Sequence, residues 1–363
     1  MTTYDDRAEP VRAGHALDTE ALGRWLEAHP IDGETLRGPV EVLQFPRGYS
    51  NLTYLLRAAG RELVLRRPPA GVAIASAHDM GREHRILSTL RGVWPRVPRT
   101  LAYEPDAGPL GAPFYLMERV EGVILRARVP AGLALGEARM RHLSEAMIDT
   151  LAEIHGVDLE AAGLTALGRP EGYAERQVRG WIERYQKAKT DDVPAFDRLA
   201  AWLSARVPAS APGALVHNDF KYDNVVLSSD LETVRAVLDW EMATVGDPWM
   251  DLGCALGYWI QSNDAPALQA MRFGPTELPG SLTRTELVAR YEARTGRAVP
   301  HLPFYMAFAL MKLAVVAQQL YQRVARGLTS EPRYAMMIEA VKGLSRAGVR
   351  IAESGRIDVI DLE

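Results

Sequence analysis

The chain has 363 residues, more than one hydrophobic core usually supports, so two lobes are expected. Its 47% hydrophobic and 24% charged residues exclude a disordered chain, and a formal net charge of -4 without a Lys/Arg block argues against nucleic acid as a partner. The single cysteine, Cys254, excludes an internal disulfide and zinc sites built from several thiolates; with a start that lacks a basic and apolar leader, it points to a reducing, cytoplasmic setting.

Along the chain, an N-terminal helical extension precedes a strand at 39–45, a turn at 46–51, and strands at 52–58 and 61–66, which read as a β-meander. A helical pattern from His78 to Leu90 follows, with Met80, Ile86, Leu87 and Leu90 on one face, and then the apolar strand 113–120. Beyond Gly122 the segments 137–156, 172–188, 193–206, 282–295, 301–327 and 333–353 read as amphipathic or buried helices, interrupted by short strands at 224–227 and 235–239. The stretch 302–320 is long enough to span a bilayer but carries Lys312 at its centre, at an insertion cost of about 3 kcal/mol, so a buried helix is expected and no membrane. The fold class that results is α+β: a small β-rich lobe, residues 1–118, followed by a large, mainly helical lobe, residues 119–363.

Two motifs carry chemistry. LVHNDFKYDNVVLSS (215–229) holds His217, Asp219, Lys221 and Asn224 in the order H-x-D-x-K-x-x-N. Phosphoryl transfer needs a carboxylate to orient and deprotonate a hydroxyl, and a nearby oxygen ligand for a divalent cation; Asp219 and Asn224 suit these roles. Lys221 is placed to reach the transferring phosphoryl group as a point charge. Fifteen residues after Asn224, Asp239 ends an apolar strand, where a metal-binding carboxylate would sit.

These motifs and their spacing resemble the aminoglycoside phosphotransferase superfamily, whose fold is protein-kinase-like. They are most similar to the group related to the N-terminal kinase domain fused to some acyl-CoA dehydrogenases. GYSNLTYLL (48–56), LVLRRPP (63–69), REHRIL (82–87), GAPFYLMERVEG (111–122) and GYAERQVRGWIERY (172–185) extend the likeness over about residues 35–345. The resemblance implies Asp219 as catalytic base, Asn224 and Asp239 as Mg²⁺ ligands, and Arg66 as the cation on the ATP phosphates, paired with Glu83; Arg67 stays open as the alternative cation. It also implies adenine at the lobe connector, Met117, Glu118, Arg119 and Val120, and phosphates under Gly48, Ser50 and Asn51, although 46–54 is not G-x-G-x-x-G. Asp239-Trp240-Glu241 stands where protein kinases have Asp-Phe-Gly, and Glu241 is expected to brace the loop. His217 is expected to hold the catalytic loop, and Asp247 and Asp251 to cap and open a helix.

The expected activity is transfer of the ATP phosphoryl group to a hydroxyl of a small molecule with Mg²⁺. A cationic and aromatic face at Arg176, Arg179, Trp181 and Arg184 points to an anionic acceptor with an apolar part, such as a hydroxyacyl-CoA or hydroxy acid. The alternatives are an aminoglycoside or other small-alcohol kinase, or a nucleotide-binding pseudokinase.

Overall fold

A computed structural model of the protein describes residues 7–46, 51–69, 79–329 and 331–361. In chain order its first elements are β1 (Glu9–Pro10), α1 (Thr19–Ala28), β2 (Glu41–Gln44), β3 (Leu52–Ala58), β4 (Arg61–Arg67), α2 (Met80–Leu90), β5 (Thr100–Glu104) and β6 (Phe114–Glu118). There follow α3 (Glu137–His155), α4 (Tyr173–Ala188), α5 (Pro194–Ser204), β7 (Ala214–Val216), β8 (Val225–Leu227), β9 (Val234–Val237), β10 (Thr244–Gly246) and α6 (Pro248–Tyr258). The last are α7 (Pro266–Gln269), α8 (Arg284–Thr295), α9 (Leu302–Ala325), α10 (Pro332–Ala335) and α11 (Met337–Ser354). The fold is α+β and kinase-like, with two compact units.

The first unit comprises the described residues up to Ile124 together with Glu160–Leu164 and Asn224–Met242. Its sheet has the order β1-β2-β3-β4-β6-β5, every neighbouring pair antiparallel. Alternation along the strands sets its two faces. Tyr54, Leu56, Ala58, Leu63, Leu65, Phe114 and Leu116 bury against Leu22, Trp25 and Leu26 of α1, each large apolar side chain contributing about 1.5–3 kcal/mol. The residues between them, Arg66 and its cross-strand partner Tyr115 among them, take the other face, where α2 packs on β5 and β6. The β8–β9 hairpin joins this unit through reciprocal backbone bonds between Val123 and Leu227. Gly122 makes that approach possible: its φ is +156°, and a Cβ there would stand 2.1 Å from the Leu227 carbonyl oxygen.

The second unit is helical, with the short β7–β10 pair as its only sheet among the described residues. α9 runs through its interior against α11, α6, α4 and α5. This is the one described helix long and apolar enough to cross a membrane, and 72% of its most apolar stretch is buried within the protein. α6 and α9 approach closely at Gly253, where a Cβ would meet the Tyr305 carbonyl oxygen at 2.6 Å. Strands β1, β5, β7 and β10 were not expected; β1 has two residues and β7 and β10 three each, too few to show an alternating pattern. The expected helix 333–353 is split into α10 and α11.

Candidate active site

In the first unit the chemistry gathers around one guanidinium. Arg66 projects from β4 towards α2 and is buried, its side chain 10% exposed. It forms ion pairs with Glu83 of α2 at 3.1 Å, Asp239 at 2.5 Å and Glu241 at 3.0 Å. Arg67, one residue on, faces the other way and donates to the Pro68 and Leu110 carbonyls, so of the two candidate cations only Arg66 belongs to this cluster. Burial pushes the Glu83 carboxyl up, and the Arg66 charge opposes that shift. Asn51 donates to Glu241 at 2.7 Å, and Arg82 donates to the Glu241 carbonyl at 3.0 Å, so Glu241 braces the loop. Gly48 and Ser50 lie outside the described residues.

Asp239 follows β9 in a left-handed conformation, φ +67°, which Asp tolerates better than most residues. The Leu238 N–H donates to the Asn224 carbonyl at 2.8 Å, so Asn224 and Asp239 are held close together. Three carboxylates meet the Arg66 guanidinium here and bring hard oxygen donors together. Asp239 is the most exposed of the three, its side chain 29% exposed against 2% for Glu83 and 10% for Glu241. The donor chemistry fits a hard dication such as Mg²⁺.

Glu118 is committed to the sheet: its N–H donates to the Arg99 carbonyl, and its carboxylate accepts the Arg99 N–H, both at 2.9 Å. That N–H cannot also serve adenine. Arg119 is ion-paired with Glu62. Met117 is buried between β4 and β5, and Val120 is half-buried just beyond β6.

In the second unit the chemistry centres on Asp219, on the loop after β7. Its Oδ2 accepts from Lys221 and its Oδ1 from the Tyr258 hydroxyl of α6, each at 2.5 Å. Burial raises the Asp219 pKa, but Lys221, Tyr258 and Lys312 outweigh it, and the carboxyl lies below its usual range. Burial and the Asp219 charge push the Tyr258 phenol well above its usual range, so it remains a donor. The Lys221 ammonium lies 4.9 Å from the Tyr258 ring centroid. Lys221 and Tyr258 also line an apolar pocket formed with Met147, Ile148 and Leu151 of α3, Phe220, Leu256, Trp259 and Phe273.

The loop is anchored from behind. Asp251, in the first turn of α6, accepts the His217 and Asn218 N–H groups at 2.6 and 2.8 Å and contacts His155 Nε2 at 3.1 Å; the other ring nitrogen of His155 is 2.6 Å from the Tyr291 hydroxyl. His217 is fully buried, and its Nδ1 accepts the Asp219 N–H at 3.2 Å. Asp247 caps α6 as expected, whereas Asp251 does more than meet the helix dipole. Tyr258, His155, Asp251 and Tyr291 were not among the expected site residues, since their roles depend on helices distant in sequence. Lys312 offered a signal: a cation in an apolar helix needs a buried partner.

Arg176 donates to the Glu171 and Arg169 carbonyls, Trp181 is buried, Arg184 stacks 4.7 Å from the Trp181 centroid, and Arg179 is exposed. None of the four lines the apolar pocket beside Asp219.

A family model described as the phosphotransferase enzyme family matches residues 41–284, which span Arg66, Glu83, Asp219, Asn224, Asp239 and Tyr258. This chain belongs to the phosphotransferase enzyme family. Among relatives of this chain, mouse acyl-CoA dehydrogenase family member 10 is 37% identical over 323 residues, covering 88% of this chain and 30% of the relative. Human acyl-CoA dehydrogenase family member 11 is 30% identical over 356 residues, covering 97% of this chain and 45% of the relative. The chain thus spans less than half the length of either. The crystal structure of a proposed aminoglycoside phosphotransferase from Ralstonia eutropha JMP134 superposes with a TM-score of 0.78 at 30% identity, covering 93% of this chain and 99% of that one. Aminoglycoside phosphotransferase APH(4)-Ia, solved with AMP-PNP and hygromycin B, is 19% identical with a TM-score of 0.57, covering 88% and 96%, and shares the fold.

Proposed function

We propose that the protein transfers the γ-phosphoryl group of ATP to a hydroxyl of a small molecule that carries an apolar part. The observation behind this reading is the Asp219 carboxylate, ionised and bound by Lys221 and Tyr258 beside an apolar pocket. ATP is the proposed donor because the fold relative APH(4)-Ia was solved with an ATP analogue. Asp239 and Asn224 would hold Mg²⁺, whose charge, when bound, offsets that of the phosphoryl group. Arg66, oriented by Glu83, would hold a phosphate oxygen, and Glu241 would fix the loop that carries Asp239.

Asp219 takes the hydroxyl proton as the acceptor oxygen forms its bond to phosphorus, and the bond from phosphorus to the ADP oxygen breaks. Little covalent help is needed, so alignment and charge supply most of the rate. The pocket's lining is mainly apolar, and its one cation, Lys221, is already paired with Asp219, so the pocket favours an acceptor with an apolar part. A hydroxy acid or hydroxyacyl thioester is therefore the proposed acceptor class, a reading its acyl-CoA dehydrogenase-named relatives also support. The test is ADP release from MgATP with hydroxyacyl-CoAs, free hydroxy acids and aminoglycosides, with the product's gain of one phosphoryl group read by mass spectrometry. Transfer to aminoglycosides alone would overturn the acceptor class, and no transfer to any alcohol would overturn the activity.

A further inference from the structure

Asn218, the residue before Asp219, is held in a left-handed conformation, φ +65°, and is 9% exposed. Three helices grip it at three different atoms. Asp251 of α6 accepts its N–H at 2.8 Å, Lys312 of α9 donates to its carbonyl at 2.5 Å, and Tyr173 of α4 donates to its side-chain oxygen at 3.1 Å. Lys312 is 5% exposed in an otherwise apolar stretch, with Cys254 Sγ 3.7 Å and the Trp181 centroid 5.6 Å from its ammonium. Burying an ammonium is costly unless it is paired, so its site must repay that cost through these partners. Tyr173 is 4% exposed, and its ring packs where Gly246 has no side chain: a Cβ there would stand 2.7 Å from it.

We infer that Lys312 and Tyr173 are positioning residues for phosphoryl transfer, holding Asn218 in the left-handed conformation from which the backbone presents Asp219, with Lys312 also the buried cation behind that carboxylate. This rests on the reading of Asp219 as the base. The charged and titratable groups facing Asp219 are Lys221 on its own loop, Tyr258 and Cys254 on α6 and Lys312 on α9, with His217 beside it and Asp251 behind. Removing the Lys312 charge leaves the carboxylate easier to protonate, so the acid limb of the rate profile moves to higher pH.

The experiment compares wild type, Lys312→Met, Lys312→Arg, Tyr173→Phe and the Lys312→Met/Tyr173→Phe double variant, each shown folded by circular dichroism, with Asp219→Asn as reference. The readouts are MgATP turnover from pH 3 to 8 with a hydroxyacyl-CoA and with water as acceptor, the KM for MgATP, and hydrogen exchange across 215–222. Lys312→Met is expected to lower kcat roughly 10–100-fold with little change in KM for MgATP, raise the acid limb and speed exchange; Lys312→Arg should return the limb towards wild type. Tyr173→Phe removes only a hydroxyl and should lower kcat by a smaller factor. The two losses should be less than additive because both act on Asn218. If Asp219→Asn is inactive while both single variants keep the wild-type kcat, acid limb and exchange, the positioning role is wrong and the base assignment stands. If Asp219→Asn keeps full turnover, the base assignment itself is wrong. Should Lys312→Met fail to fold, Tyr173→Phe decides: unchanged kcat and exchange overturn the inference.

Discussion

At the scale of single residues, the two units call for different losses on mutation. Asp219→Asn keeps the size of the side chain but removes its charge, so kcat should fall roughly 10²–10⁴-fold while MgATP affinity is retained; turnover near wild type would remove Asp219 from the chemistry. Asp239→Asn takes a charged hard-oxygen ligand from the Arg66 cluster, and calorimetry should show weaker MgATP binding, an effect that vanishes if Asp239 does not hold the metal. Arg66 and Glu83 are in direct contact, so the Arg66→Ala/Glu83→Ala cycle should show a coupling of about 0.5–3 kcal/mol in kcat/KM; strictly additive losses would contradict the pairing. Sequence reading reached these residues because each lies in or beside a short motif. It could not choose between Arg66 and Arg67, because that choice depends on which face of β4 meets α2.

At the scale of elements, α6 links helix capping to the loop that carries Asp219. Asp247 accepts the Trp249 N–H at 2.8 Å, so Asp247→Ala should cost about 0.5–2 kcal/mol of stability by denaturant titration. Gly253→Ala inserts a methyl group against the α9 backbone and should destabilise by about 1–3 kcal/mol, with lower kcat if the α6–α9 spacing sets the distance from Lys312 to Asn218. A Gly253→Ala protein as stable and active as wild type would show that α9 moves aside at no cost. The long helices were legible from periodicity, whereas β7 and β10 were not. The pairing of Val216 with Thr244 depends on chain segments far apart in sequence, which a run of three residues does not record.

At the scale of the molecule, paired carboxylates set the acid limit of stability. Asp32, held by Arg99 and Arg61, lies below the usual carboxylate range; Asp251 does too, where burial pushes upward but His155 and the loop N–H of His217 prevail. A carboxyl whose folded pKa is lowered contributes stability above its unfolded value, about 4, and loses it as pH falls towards the folded value. Asp247, raised by burial, acts in the opposite sense and favours the folded state at low pH. The urea midpoint should therefore decline below about pH 4, and Asp251→Asn should flatten that decline; an equally steep decline would mean Asp251 is not among its causes.

What the sequence determined by itself was the class of fold, the order of its long helices and longer meander strands, and the family, because hydrophobic period and short motifs are local properties of the chain. Tertiary structure alone decided which side of β4 sets its arginine against Glu83, Asp239 and Glu241, that the Tyr258 hydroxyl binds Asp219, and that the apolar pocket beside that carboxylate draws on α3 and α6 rather than on the basic face of α4. Each of these is a contact between residues tens of positions apart or a choice between strand faces. Such relations arise only when helices and strands pack, so no local pattern in the chain records them.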